Sequence, residues 1–197
     1  MSTNAELILV LDAPSPRDVT PTLKRLAGTV TWVKVGLEMF TACGPDCVRE
    51  VAGIGFKVFL DLKLHDIPNT VQKATEQVAH LGVTFLTVHA YPQTMRAAKA
   101  GSHGSDMRIL GVTVMTSYDD HDLREAGYDK TVRDVVRIRA QAACEIGIGG
   151  LILSPEDVSA MRSVIGHDLL LVTPGIRPAN SDSNDQKRFM TPRDAIQ

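Results

Sequence analysis

Short apolar runs rich in β-branched residues recur along the chain. Between them lie longer stretches in which apolar residues return every three or four positions. The runs Leu7–Asp12, Thr31–Gly36, Phe56–Lys63, Phe85–His89, Ile109–Thr116, Gly150–Ser154 and Leu169–Thr173 predict seven β-strands. Val71, Ala74, Val78 and Leu81 stand at helical spacing and predict a helix over 70–81, while Ser154-Pro155-Glu156-Asp157 reads as an N-cap followed by proline in the first helical turn. Strands joined by helical crossovers run parallel, and a repeat of about 25 residues fits a barrel or a doubly wound sheet.

The residues that end these runs separate the two architectures. Each run finishes on a polar or ionisable group: Asp12, Lys34, Asp61 with Lys63, His89, Thr116 with Ser117, Ser154, and Thr173. A closed barrel gathers all of them at one mouth, whereas an open sheet gathers only those beside its switch point. Taken singly, each is also an ordinary cap or turn residue. The expectation is an α/β fold of the (β/α)8 TIM-barrel type, one domain over residues 1–197. One more repeat after Thr173 puts the eighth strand beyond Gln197, past a helix starting near Thr191-Pro192, so the chain is expected to be truncated at its C-terminus. Gly147-Ile148-Gly149-Gly150 precedes a strand and does not link a strand to a helix, which makes it a turn and not a dinucleotide fingerprint. The polar segment 179–185 reads as a mobile loop.

Composition narrows the partner. The 197 residues are 44% hydrophobic and 22% charged, enough for one sizeable core. A net charge of -2 without a polybasic stretch gives no footprint for nucleic acid or anionic lipid, which leaves small-molecule chemistry. Met1–Glu6 carries no positive side chain and the apolar run from Leu7 stops at Asp12, so neither a signal peptide nor a membrane span fits and a cytoplasmic location is expected. Three cysteines, an odd number, argue against a disulfide framework. Cys43 and Cys47 lie one helical turn apart, a spacing two metal ligands can share, but no second pair accompanies them.

The densest chemistry is Asp61-Leu62-Lys63-Leu64-His65-Asp66-Ile67-Pro68-Asn69-Thr70, directly after an apolar run. A two-residue repeat sends Phe59, Asp61 and Lys63 to one face of the strand, placing an acid beside a base. Asp61 then favours the charged form of Lys63, and Asp66 adds to this if the following loop folds back over the strand end. A lysine held charged can donate a proton. The alternative is a salt bridge at a strand terminus.

Together with Leu11-Asp12, Val33-Lys34-Val35-Gly36, Val114-Met115-Thr116-Ser117, Thr173-Pro174-Gly175-Ile176-Arg177-Pro178 and Asp185-Gln186-Lys187-Arg188, this decapeptide resembles the orotidine 5'-monophosphate decarboxylases, over Leu7 to Ile196. The resemblance implies a cofactor-free barrel that converts orotidine monophosphate to uridine monophosphate in pyrimidine synthesis, usually as a homodimer. It makes Lys63 the proton donor to the pyrimidine carbon that loses carbon dioxide, with Asp61 and Asp66 flanking it and Lys34 completing the charged network. Asp66 and Thr70 reach across the dimer, with Ile67 between them among the substrate contacts. Asp12 and Lys34 hold the ribose, and Thr116 or Ser117 bonds the pyrimidine. Arg177 and Gln186 are the phosphate candidates and Pro174 is a further substrate contact, while Lys187 and Arg188 serve either phosphate or solvent. A further glycine-arginine phosphate contact follows the family's eighth strand and has no counterpart here. Such chemistry suits these residues, because losing carbon dioxide without a cofactor leaves electron density on carbon and a fixed cation stabilises it.

Two other readings remain at this level. Metal-dependent sugar-phosphate relatives share the aspartate-x-lysine-x-x-aspartate pattern but carry an acidic magnesium ligand where this chain has Lys34, a cation that repels magnesium. A metal centre on Asp61, His65 and Asp66 is a variant of that reading. A nucleotide-binding module without catalysis predicts binding without turnover, against which the acid-base set argues.

Overall fold

The computed structural model describes residues 5–178 and 190–196. In chain order its elements are β1 (Ile8–Leu11), α1 (Pro16–Leu26), β2 (Trp32–Gly36), α2 (Leu37–Cys43), α3 (Pro45–Gly53), β3 (Lys57–Leu64), α4 (Pro68–Ala79), β4 (Phe85–His89), α5 (Pro92–Gly101), β5 (Arg108–Val112), α6 (Asp120–Glu125), α7 (Val132–Ile146), β6 (Gly150–Ile152), α8 (Val158–Ile165), β7 (Leu170–Val172) and α9 (Pro192–Ile196). Every strand expected from the apolar runs is present. The strand after Arg108 stops at Val112, four residues short of Thr116, which leaves Thr116 and Ser117 in a loop. Ser154 does cap a turn, accepting from the Glu156 N–H, but that turn is a 3-10 turn that feeds α8. The alternation of parallel strands with helices is the α/β, TIM-type architecture, and an eighth strand is absent from the described residues.

The chain packs as two compact units. One holds 4–88 and 97–109, with β1 to β4 in sequential parallel register. Both faces of a parallel sheet are covered, so its strands are apolar throughout: Val33, Val35, Leu60 and Leu86 are all fully buried, each contributing roughly 1.5–3 kcal/mol. Trp32 stacks on Phe85 at 4.5 Å and Phe59 meets Phe85 edge-on at 6.0 Å, while the Trp32 indole N–H donates to the Glu6 carboxylate. Lys34 is the interruption in β2, half-buried between buried neighbours. Helix α4 begins on Pro68, whose missing N–H costs nothing in a first turn, and buries Val71, Thr75 and Val78. Gly101 lies so close to α4 that a Cβ there would stand 2.4 Å from the Gln72 carbonyl oxygen.

The other unit contains 89–96 and the chain from 110 onward, with β5, β6 and β7 in parallel register. Helix α7 buries Val132, Val135, Val136, Ala140 and Ala143 and ends on Gly147 in the left-handed conformation, as the turn reading requires. Gly150 has a second reason to be glycine, since a Cβ would meet the Leu170 carbonyl oxygen at 2.4 Å. The segment expected to be a mobile loop, 179–185, lies outside the described residues.

Candidate active site

The first unit carries its charge at the C-terminal ends of β2 and β3. Register places Lys34 beside Phe59 and Gly36 beside Asp61. Lys34 extends along its own strand past Gly36 to reach Asp61, and the missing side chain makes room: a Cβ on Gly36 would sit 3.0 Å from Lys34 Nζ. Lys34 Nζ stands 3.3 Å and Lys63 Nζ 2.9 Å from the same carboxylate oxygen, Asp61 Oδ2. The other oxygen, Oδ1, accepts a 2.8 Å bond from the Thr87 hydroxyl of β4.

Simple alternation does not account for Lys63. Leu60 pairs with Leu86 and Leu64 with Val88, so β3 advances four residues where β4 advances two. The surplus forms a bulge containing Asp61 and Lys63, and Lys63 takes φ 50, the one positive φ at a non-glycine position among the described residues. A side chain in that region costs about 1–2 kcal/mol. The Lys63 N–H is nevertheless satisfied, donating to Thr87 Oγ1 at 2.9 Å. Strained, bulged backbone at a strand end re-aims a side chain, and here it aims the lysine.

Electrostatics follow from the packing. Asp61 is 8% exposed, and that burial would raise its pKa. The charges of Lys63 and then Lys34, with hydrogen bonds from Lys63 and Thr87, outweigh burial and hold the carboxyl below its ordinary value. Two ammonium groups around one carboxylate leave one positive charge over, and the Lys63 side chain is 33% exposed.

The remaining expected residues are divided between the two units. Asp12 is exposed just after β1, with no ion pair among the described residues. Asp66 does not join Lys63; its carboxylate accepts the Ile67 N–H at 2.6 Å and both residues are exposed, as is Thr70 in the first turn of α4. In the second unit Thr116 is buried and Ser117 half-buried, Pro174 is exposed, and the Arg177 guanidinium donates to the Ile176 carbonyl at 3.1 Å. The Arg177 backbone is tied to Met190 by a 3.0 Å bond. Gln186, Lys187 and Arg188 lie outside the described residues. At Cys47, burial first and then Cys43 push the thiol pKa up. Among the described residues no group of three His, Cys, Asp or Glu is placed to hold a metal ion, and this includes Asp61, His65 and Asp66.

Residues 5–197 match the model of the "Orotidine 5'-phosphate decarboxylase / HUMPS family". The chain belongs to this family. It is 55% identical over 190 residues to an orotidine 5'-phosphate decarboxylase of Bradyrhizobium sp. (strain ORS 278), covering 96% of this chain and 78% of that protein. It is 53% identical over 195 residues to one from Opitutus terrae, covering 96% and 84%. The crystal structure of orotidine 5'-phosphate decarboxylase from Lactobacillus acidophilus superposes with a TM-score of 0.84 at 37% identity, over 98% of this chain and 85% of that one. These relatives favour the decarboxylases over the metal-dependent branch. The chain is accordingly a carbon-carbon lyase that decarboxylates orotidine monophosphate in pyrimidine biosynthesis. No helix among the described residues is long and apolar enough to cross a membrane.

Sequence reasoning missed Thr87 and the role of Gly36. Thr87 is the polar residue inside the apolar strand Phe85–His89, and Gly36 stands two positions after Lys34, which were the available signals.

Proposed function

We propose that Lys63 donates the proton in a cofactor-free decarboxylation of orotidine monophosphate. The observation that carries this reading is the Lys34, Asp61, Lys63 array with its uncompensated positive charge. The bond between the ring carbon and the carboxylate breaks, carbon dioxide departs, and the electron pair stays on carbon. Lys63 Nζ transfers a proton to that carbon and recovers one from water. Asp61 anchors the ammonium, and the charge left over stabilises the carbanion as it forms. Repulsion between Asp61 and the substrate carboxylate is a smaller contribution.

Around this centre, Asp12 and Lys34 hold the ribose, Ile67 and Pro174 contact substrate, Thr116 or Ser117 bonds the pyrimidine, and Arg177 and Gln186 form the phosphate side. Binding the remote phosphate lowers the barrier if it closes a loop over the reacting carbon. The exposed Asp66 and Thr70 serve the partner's site in a homodimer, because they project past their own strand end and Asp66 forms no ion pair with its own Lys63. The reaction is placed in the cytoplasm.

The test is the loss of orotidine monophosphate absorbance, with and without chelator, for the wild-type chain and Lys63→Ala. Chelator-resistant formation of uridine monophosphate that Lys63→Ala abolishes supports the reading. Turnover that survives the substitution rejects Lys63 as donor, and turnover lost to chelator rejects the metal-free route.

A further inference from the structure

We infer that Thr87 is a positioning residue for the decarboxylation, a single hydroxyl that locks both the bulge carrying Lys63 and the carboxylate that anchors its ammonium. This rests on the proposed role of Lys63.

A threonine hydroxyl has one proton to give and lone pairs to accept. In a buried, fully inaccessible position, Thr87 uses both: it accepts from Lys63 N at 2.9 Å and donates to Asp61 Oδ1 at 2.8 Å. The direction of the second bond is fixed, because an ionised carboxylate only accepts. Thr87 therefore cannot rotate its proton elsewhere without leaving a buried oxygen unpaired.

Each bond restrains a different part of the donor. The bond from Lys63 N ties down the residue held at φ 50 in the irregular stretch between Leu60 and Leu64, where the regular ladder is interrupted. The bond to Oδ1 fixes the rotation of the Asp61 carboxylate, so that Oδ2 alone faces the two ammonium groups at 2.9 and 3.3 Å. Backbone and side chain of the proposed proton donor are thus referred to one point on the neighbouring strand. Without that hydroxyl the bulge is free to relax toward ordinary φ and the carboxylate to turn, and a shift of about 1 Å at a reacting atom costs on the order of a hundredfold in rate.

The test compares Thr87→Val, which keeps the shape and removes the hydroxyl, with Thr87→Ser, which keeps the hydroxyl. Steady-state kinetics on orotidine monophosphate should show kcat of Thr87→Val reduced about ten- to a hundredfold with KM nearly unchanged, and Thr87→Ser restored to within a fewfold of wild type. If Thr87→Val does not fold, Thr87→Ala against Thr87→Ser makes the same comparison. Equal losses in the hydroxyl-bearing and hydroxyl-free variants, or wild-type kcat in Thr87→Val, overturn the inference. A second readout is independent of turnover: carbon-13 NMR titration of the Asp61 carboxyl. Its midpoint should rise in Thr87→Val and not in Thr87→Ser; an unchanged midpoint overturns the inference. If Lys63→Ala keeps wild-type turnover, the reading of Lys63 as donor fails and the inference falls with it; if Lys63→Ala loses turnover and Thr87→Val does not, the inference alone fails.

Discussion

Each unit holds a charged network, and the two are built differently. In the first, Lys34 and Lys63 converge on one oxygen of Asp61, with a positive charge left over and one residue at strained φ. In the second, a single guanidinium is answered on several sides. Arg139 donates to the Thr113 carbonyl and, at 3.0 Å, to the Tyr128 hydroxyl, while lying 4.4 Å over the ring of Tyr91. The Tyr91 and Tyr128 hydroxyls meet at 2.5 Å, and that bond, helped by burial, raises the Tyr128 pKa. Arg139 faces neutral acceptors and π-faces, so its planar fork works as a brace. Both arrays keep one net positive charge; the first sets it on strained backbone with a partly exposed ammonium, as the proposed donor role requires, and the second spends its donors on neutral groups within its own unit.

The largest effects should fall on the first network and should be functional. Lys63→Ala lowers turnover by roughly a thousandfold, the scale of a lost general acid combined with lost electrostatic stabilisation, measured by substrate absorbance. Asp61→Asn leaves two clustered lysines without their counter-charge and costs about 3 kcal/mol in denaturant unfolding. The pH dependence has a definite sign. Because the folded Asp61 pKa is depressed, its contribution to stability is complete above the ordinary carboxylate value of 3.8 and is lost as pH falls through the lower folded value. Acid unfolding of wild type should show this loss and Asp61→Asn should lack it.

Smaller effects sharpen the contrast. Arg139→Met removes two hydrogen bonds from a charged donor and should cost about 2 kcal/mol of stability, with kcat within a fewfold of wild type; a large kcat loss with unchanged stability would erase the distinction between the networks. Gly36→Ala brings a methyl to 3.0 Å from Lys34 Nζ, so the ammonium must give by a few tenths of an ångström in its approach to Asp61. Turnover should fall about tenfold while the thermal midpoint stays within a few degrees.

Much of this was legible because it is local. Parallel strands buried on both faces write themselves as continuous apolar runs, which is why seven strands could be read directly, and Asp61 and Lys63 stand two residues apart in one of them. The inference that they meet was right, but the route was not, since strict alternation contains no bulge. A left-handed lysine has no sequence signature, because the sterically favoured residue there is glycine. Thr87 lies 24 positions from Lys63 and reads as an ordinary β-branched strand residue until the pairing of β3 with β4 is known. Arg139 had a faint signal: it falls on the helical stripe shared by the buried Val132, Val136 and Ala143, where a charge needs partners. Gly36 was seen as part of a motif, but its role as space for Lys34 appears only in three dimensions.

The central claim is that the backbone at Lys63 is strained in order to present a proton donor. Lys63→Gly tests it most directly, since glycine adopts positive φ without steric cost and carries no ammonium. Thermal unfolding and turnover of orotidine monophosphate should be measured on the same preparation. The account predicts a protein at least as stable as wild type in which turnover has fallen by roughly a thousandfold; near-wild-type turnover in a folded Lys63→Gly protein would contradict it.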